Sequence, residues 1–428
     1  MPGGLLYWRG ALPQREGGKL KESRSLGPRF AAIAYDPPKN CSNGRKIQNM
    51  QNRLEDQQRS LNGCKYGTGF FGGKFLPFHR GHLDCILRCA SECEKLYVVL
   101  MHNGPEEREV LADYRGPFPK EHLGAHIREL ALRAELAPFD NIVVVTYDCL
   151  EADERAMREG THPWFYECKD LVKLIGHFDV AYSSEPEYSR YFAEFYPWAR
   201  AELLDERRSR NPISATEIRS MPFCEAYRHL PREYQKLVNK KVLFTGPESC
   251  GKSTLVRKLA AVLNTSYTEE MGKLACERFG VSSPGAEMYP RFVHEQAMAD
   301  TRAVAEANMV ALCDTDAIVT ELYLRMLEGV DVMPLARQVA AQNNWDLVFF
   351  VEPTVPWVED GLRVCAQQEA REEQSRMLRE AYGALGYRLV TLDGDYRENY
   401  ERALSEIEAL IGKQGCNLEG ETTNANVQ

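Results

Sequence analysis

No apolar run in the 428-residue chain approaches 18 residues, which excludes a bilayer-crossing helix. Thirteen cysteines include no C-x-x-C pair, and no apolar leader opens the chain, so they read as reduced cytosolic thiols rather than a disulfide framework. Positive charge is also scarce, with 53 Lys and Arg against 62 Asp and Glu and a net charge of −9. The deficit is uneven: residues 1 to 66 hold 12 basic against 5 acidic residues, leaving 41 against 57 for the rest. An acidic body argues against extended nucleic-acid binding, which needs a basic face. What is present is ordinary for a globular protein, 44% hydrophobic and 27% charged, and the length suits about two or three domains. A soluble, cytoplasmic protein is expected.

Residues 1–65 lack apolar periodicity and read as a disordered basic extension, with a targeting segment or a start at Met50 as alternatives. From Tyr66, β-rich runs at 66–71, 95–101, 141–147 and 179–184 alternate with helical stretches at 80–93 and 120–137. That alternation predicts a parallel-sheet α/β domain over 66–236. A second series, 241–245, 309–313, 347–351 and 387–392, predicts another over 237–414, followed by a disordered tail at 415–428. The junction at 231–240 is short and not rich in Gly or Ser, so the two domains are expected to stay close.

In the second domain, Gly246-Pro-Glu-Ser-Cys-Gly-Lys252-Ser253 fits G-x4-G-K-[ST], between a strand and the helical stretch 255–263. The backbone of Gly246, Glu248, Ser249, Cys250, Gly251 and Thr254 is predicted to cradle phosphates, Lys252 to reach the β and γ groups, and Ser253 to ligate Mg2+. Asp314, ending an apolar strand, is assigned to the metal and Asp316 to an acceptor hydroxyl, with a helix N-cap as the plainer role for either. Arg363 is predicted to neutralise charge on the transferring group, whereas Arg371 is equally readable as a solvated helix face. No N-K-x-D-like signature of a GTPase is present, which favours a kinase.

In the first domain, Gly73-Lys74-Phe75-Leu-Pro77-Phe-His79-Arg-Gly81-His82 follows the first strand and opens a helix. Two histidines three residues apart share one face at a helix start, where amides and dipole favour phosphate. A second hydroxyl-rich helix start, Ile213-Ser214-Ala-Thr216-Glu-Ile-Arg219, carries a cation one turn in. Together the two stretches resemble the nucleotidyltransferase superfamily, with its G-x-F-x-P-x-H-x-G-H turn and downstream I-S-x-T-x-x-R. The resemblance implies that Gly73, Lys74, Phe75, His79, His82, Ser214, Thr216 and Arg219 form an ATP site using direct in-line displacement. The fold class expected is therefore a Rossmann-like H-x-G-H nucleotidyltransferase domain followed by a P-loop kinase domain.

That combination resembles the bifunctional NadR-type family. Further matches are Tyr182-Ser-Ser-Glu185 with Tyr188, Pro222-Phe223, Pro231-Arg-Glu233, Glu270, Cys313-Asp-Thr-Asp316, Thr354-Val-Pro-Trp357 and Asp360-Gly-Leu-Arg363. The resemblance covers about 67–410. It implies a kinase that makes nicotinamide mononucleotide (NMN) from nicotinamide riboside, and a first domain that joins NMN to AMP from ATP, giving NAD and pyrophosphate. Partners would be nicotinamide riboside, NMN, ATP and NAD, with neither membrane nor nucleic acid; self-association stays open. The competing readings are a fusion acting on another acceptor, such as pantetheine phosphate, and an NAD or ATP sensor whose basic extension contacts DNA. Residues 1–65 show no three-helix pattern for a repressor.

Other residues have plainer readings. Cys85, Cys89 and Cys93 form one helix stripe suited to core packing. Trp164 and Trp198 are as readily packing groups as base stackers, His126 and Arg128 either lie near the bound nucleotide or, more plainly, on a solvated helix face, and the run 369–380 suits an exposed helix with i, i+4 pairs.

Overall fold

The computed structural model describes residues 63–205, 210–281, 285–354 and 368–412. Two five-stranded sheets, each parallel throughout, are built around apolar central strands that are buried on both faces. The first runs β3-β2-β1-β4-β5, from β1 (Tyr66–Gly73), β2 (Cys93–His102), β3 (Ile142–Asp148), β4 (Val180–Ser183) and β5 (Arg200–Leu203). The second runs β10-β9-β6-β8-β7, from β6 (Lys240–Thr245), β7 (Tyr267–Thr268), β8 (Val310–Asp314), β9 (Leu347–Val351) and β10 (Leu389–Leu392). In each sheet the first strand ends up central, with later strands on both sides. Its carboxyl end is thus the switch point where α/β sheets leave a crevice for ligands. Both glycine-containing motifs stand there.

The segment expected as one helix at 120–137 is a 3-10 turn, Lys120–Leu123, followed by the helix Ala125–Leu136 after Gly124. Cys93 begins β2 instead of ending the preceding helix, Arg80–Glu92. Cys85, Cys89 and Cys93 are all buried in the core.

The helices Phe223–Arg228 and Arg232–Val238 join the two sheets. Tyr234 donates to the His122 carbonyl at 2.8 Å, and Asn239 Nδ2 to that of Val304 at 2.7 Å. One apolar cluster runs from Phe75 and Leu132 through Tyr227 and Tyr234 to Val242 and Ile407, so both sheets share a continuous core. Among the described residues no helix is long and apolar enough to cross a membrane.

Candidate active sites

The first site is a helix start built by its own histidines. His79 is the N-cap of Arg80–Glu92, and its Nδ1 accepts from the Gly81 amide at 3.1 Å. His82 Nδ1 in turn accepts from the His79 amide at 3.4 Å, closing a reciprocal capping box. With both Nδ1 atoms accepting, each neutral ring carries its proton on Nε2, a donor suited to phosphate oxygen. The two rings lie 3.7 Å apart, and Phe75 meets His82 edge-on at 5.1 Å. Phe75 holds this place with φ of 48°, a left-handed conformation uncommon for a bulky side chain and a mark of a constrained turn.

Three cations surround this turn. Lys74 pairs with Glu106 at 2.8 Å. Arg219 donates to the Leu76 carbonyl and, at 3.1 Å, to Thr216 Oγ1. The two stretches that carry the nucleotidyltransferase resemblance, some 140 residues apart in sequence, are therefore in direct contact. Ser214 caps the short helix Ala215–Ile218 through its own box with Glu217, the hydroxyl accepting from the Glu217 amide at 3.2 Å. Gly73 ends β1 under the Phe75 ring. The third cation, Arg128, is fully buried, donating to the Lys74 carbonyl and to Glu107. Of its two readings the solvated face is the one that fails: the helix Ala125–Leu136 points this guanidinium into the base of the turn.

The second site is made mainly of backbone. Gly246 has φ of 139°, and a Cβ there would stand 2.3 Å from the Val351 carbonyl oxygen. Only glycine lets the loop leave β6 so close to β9. The loop runs through Glu248, Ser249 and Cys250 to Gly251, where the helix Lys252–Leu263 begins. Lys252 is buried and folds back over the loop, Nζ donating to the carbonyls of Gly246 at 3.0 Å and Pro247 at 2.7 Å. Ser253 is half-buried and Thr254 exposed, while the Ser249 hydroxyl is shielded, with no hydrogen-bond partner among the described residues.

Arg371 and Gln374 close over this loop from the helix Gln368–Ala384. Gln374 Oε1 accepts from the Glu248 amide at 2.9 Å, and Arg371 donates to the carbonyls of Glu248 and Ser249 at 3.3 and 3.4 Å. The expected exposed helix is therefore half correct. Arg376 pairs with Glu373 and Glu380 in solvent, whereas Arg371 is buried on the phosphate loop.

Carboxylates gather on the β8 side. Both carboxylate oxygens of Asp314 are buried, with no hydrogen-bond partner among the described residues. Burial raises its pKa, opposed by the charge of Lys252 and by Ser253. Glu270 lies just beyond β7; its backbone carbonyl accepts from the Leu274 amide at 3.1 Å, while its carboxylate makes no hydrogen bond or ion pair among the described residues. Burial and the neighbouring Asp314 charge push it up to about 7, against the pull of Lys252. Asp316, two residues beyond Asp314, makes the helix-cap contacts that are its plainer reading. Thr315, at φ of 66°, turns the chain between them, and Asp316 Oδ1 accepts from the Ile318 amide at 3.0 Å and the Tyr382 hydroxyl at 2.6 Å. It is a buried N-cap of Ala317–Glu328. Arg363, Trp357 and Asp360 lie outside the described residues.

Trp164 is buried among Tyr188, Tyr191 and Phe192, a packing role, whereas Trp198 is part-exposed against His177 at 4.7 Å. Among the described residues no cluster of three His, Cys, Asp or Glu is arranged to hold a metal ion. Asp314 with Ser253 is instead the kind of partial, hard-oxygen set that Mg2+ accepts when phosphates complete its shell.

Fold and sites together define a two-domain nucleotide-handling protein, with an adenylyltransferase-type anion turn on one sheet and a kinase-type phosphate loop on the other. A cytidylyltransferase-like family model matches residues 70–221, and an AAA domain model matches 241–399. The chain is 26% identical over 365 residues to the trifunctional NAD biosynthesis/regulator protein NadR of Escherichia coli K12, covering 82% of this chain and 85% of that one. A phosphopantetheine adenylyltransferase of Streptococcus pyogenes is 24% identical over 155 residues, covering only 36% of this chain. A crystal structure of NadR in complex with NR superposes with a TM-score of 0.64 at 25% identity, over 84% of this chain and 98% of that one. Across both domains, in the same order, the chain is therefore similar to NadR.

Proposed function

We propose that this protein phosphorylates nicotinamide riboside to NMN with ATP in its second domain and adenylylates NMN to NAD in its first. The observation that carries the acceptor identity is the end-to-end match, both domains in the same order, to NadR solved with NR. The pantetheine-phosphate reading is supported only by a match limited to the first domain.

The chemistry of each half follows from its nucleophile. In the first domain the phosphate of NMN, already anionic at neutral pH, attacks the α-phosphorus of ATP, a P–O bond forms, and the α–β bridge breaks to release pyrophosphate. No base is required. His79 and His82 donate from Nε2 to the charge that builds on the α-phosphate, and Lys74 and Arg219 exchange Glu106 and the Leu76 carbonyl for the polyphosphate. Ser214 and Thr216 hold the second helix start against it.

In the second domain the nucleophile is the neutral 5′-hydroxyl of the riboside, which must lose its proton as the γ-phosphoryl group transfers. Glu270 fits that work better than Asp316, because Asp316 is engaged as a cap while the Glu270 carboxylate has no hydrogen bond among the described residues and lies within the charge of Lys252 and Asp314. Lys252 moves from its loop carbonyls to the β and γ phosphates, and Arg371 fixes the loop. Ser253 and Asp314 would hold Mg2+, which when bound supplies neutralising charge to the phosphates.

A chromatographic time course with nicotinamide riboside, ATP and Mg2+ tests the assignment. NMN followed by NAD is expected; formation of neither would overturn the pyridine reading, and NMN alone would overturn the role given to the first domain.

A further inference from the structure

The two flanks of the phosphate loop are chemically unlike. On the β8 side stand the carboxylates of Asp314 and Glu270. On the β9 side a shallow depression, open to solvent, is lined by Gly251, Thr254, Lys258, Val351, Asn399 and Tyr396, among others. In-line transfer requires acceptor and leaving nucleotide on opposite sides of the γ-phosphorus. With the carboxylates on the acceptor side, the nucleoside of the donor must leave toward β9.

Tyr396 stands at that exit in an unusual state. It is 54% exposed and makes no ring contact or hydrogen bond among the described residues, yet its position is firmly built. Asp395 caps the helix Tyr396–Leu410, accepting from the amides of Arg397 and Glu398 at 2.8 and 2.9 Å, and Glu398 returns a bond to the Asp395 amide. Asn399 clamps the preceding turn from inside, bonding both the amide and carbonyl of Gly394 at 3.0 Å. The ring edge lies over Gly251, where an added Cβ would be 3.1 Å away, at the residue from which the phosphate-binding helix starts. A solvent-facing aromatic carried on a firmly capped helix start beside a phosphate site is a platform for a flat ring.

We propose that Tyr396 is the stacking surface for the purine ring of the nucleoside triphosphate that serves as phosphoryl donor in the second domain. This rests on the kinase reading above. Because the Asn399 carboxamide is already spent on Gly394, recognition here is by stacking and not by the base edge, so ATP and GTP should depend on Tyr396 alike.

The test is steady-state phosphorylation of nicotinamide riboside by the full chain with ATP and with GTP. Tyr396→Ala should raise KM for each nucleotide about tenfold while kcat stays within about twofold, and Tyr396→Trp should restore the parental KM. NMN adenylylation should be unchanged, which also reports that the variant is folded. Titration of ADP into the full chain needs no acceptor: Tyr396→Ala should weaken one class of site about tenfold and spare the other. Unchanged KM and unchanged ADP affinity would overturn the stacking role. A parental protein that binds ADP through Tyr396 but does not phosphorylate the riboside would overturn the acceptor reading alone.

Discussion

The two nucleotide sites use the same address, the carboxyl end of a central parallel strand, but fill it with opposite equipment. The first domain places side-chain donors there, two mutually capping histidines backed by Lys74, Arg219 and Arg128. The second uses a backbone loop with one buried lysine and sets the carboxylates of Asp314 and Glu270 beside it. The difference follows from the nucleophile. A phosphate attacking a phosphate needs charge neutralised and nothing deprotonated; a hydroxyl attacking a phosphate needs a carboxylate to take its proton and a cation to hold the donor.

A further likeness cuts across this contrast. In both sites the cations lie on protein oxygen: Arg219 on the Leu76 carbonyl, Lys252 on those of Gly246 and Pro247, Arg371 on those of Glu248 and Ser249. Such contacts keep partly buried charge satisfied and can be exchanged for phosphate oxygens without large rearrangement.

The largest effect should come from Lys252→Ala, which is expected to lower riboside phosphorylation by about 10³ while NMN adenylylation stays within about twofold. Comparable loss of both activities in folded protein would break the contrast between the sites. Glu270→Gln is expected to cost the kinase about 10² in kcat with KM for ATP little changed, and Asp316→Asn should instead lower thermal stability. Reversal of those two outcomes would restore Asp316 to the acceptor. Arg128→Ala leaves Glu107 buried without its partner and should destabilise the fold by about 3 kcal/mol, read from denaturant melts. Ser214→Ala removes one helix cap, for about 1 kcal/mol of stability and a few-fold rise in KM for ATP in adenylylation only.

The glycine-rich loop and the histidine turn were legible because their function lies in local backbone geometry, which neighbouring residues dictate. Gly246, Gly251 and His79 stand in the conformations and caps that their positions called for. Less visible were features decided by tertiary contact. β5 (Arg-Ala-Glu-Leu) and β7 (two residues) are short, polar edge strands with no apolar run to announce them. Arg128 and Arg371 sit in charged helical stretches that look solvated, and only the packing of those helices under one loop and over the other buries them. Asp314 and Asp316 differ by two residues in sequence and by a left-handed threonine in space, a turn for which a β-branched residue gives no warning. Glu270 was present as part of a family resemblance, but its charge environment depends on β7 pairing beside β8.

The central claim is that two independent sites act in sequence through NMN. The most direct measurement is to assay NAD formation from nicotinamide riboside and ATP with the Lys252→Ala and His82→Ala variants, singly and mixed. Each alone should make little NAD, with NMN accumulating only for His82→Ala, and the mixture should recover NAD formation as one protein supplies NMN to the other. A mixture no more active than its components, or either variant active alone at the parental rate, would contradict the account.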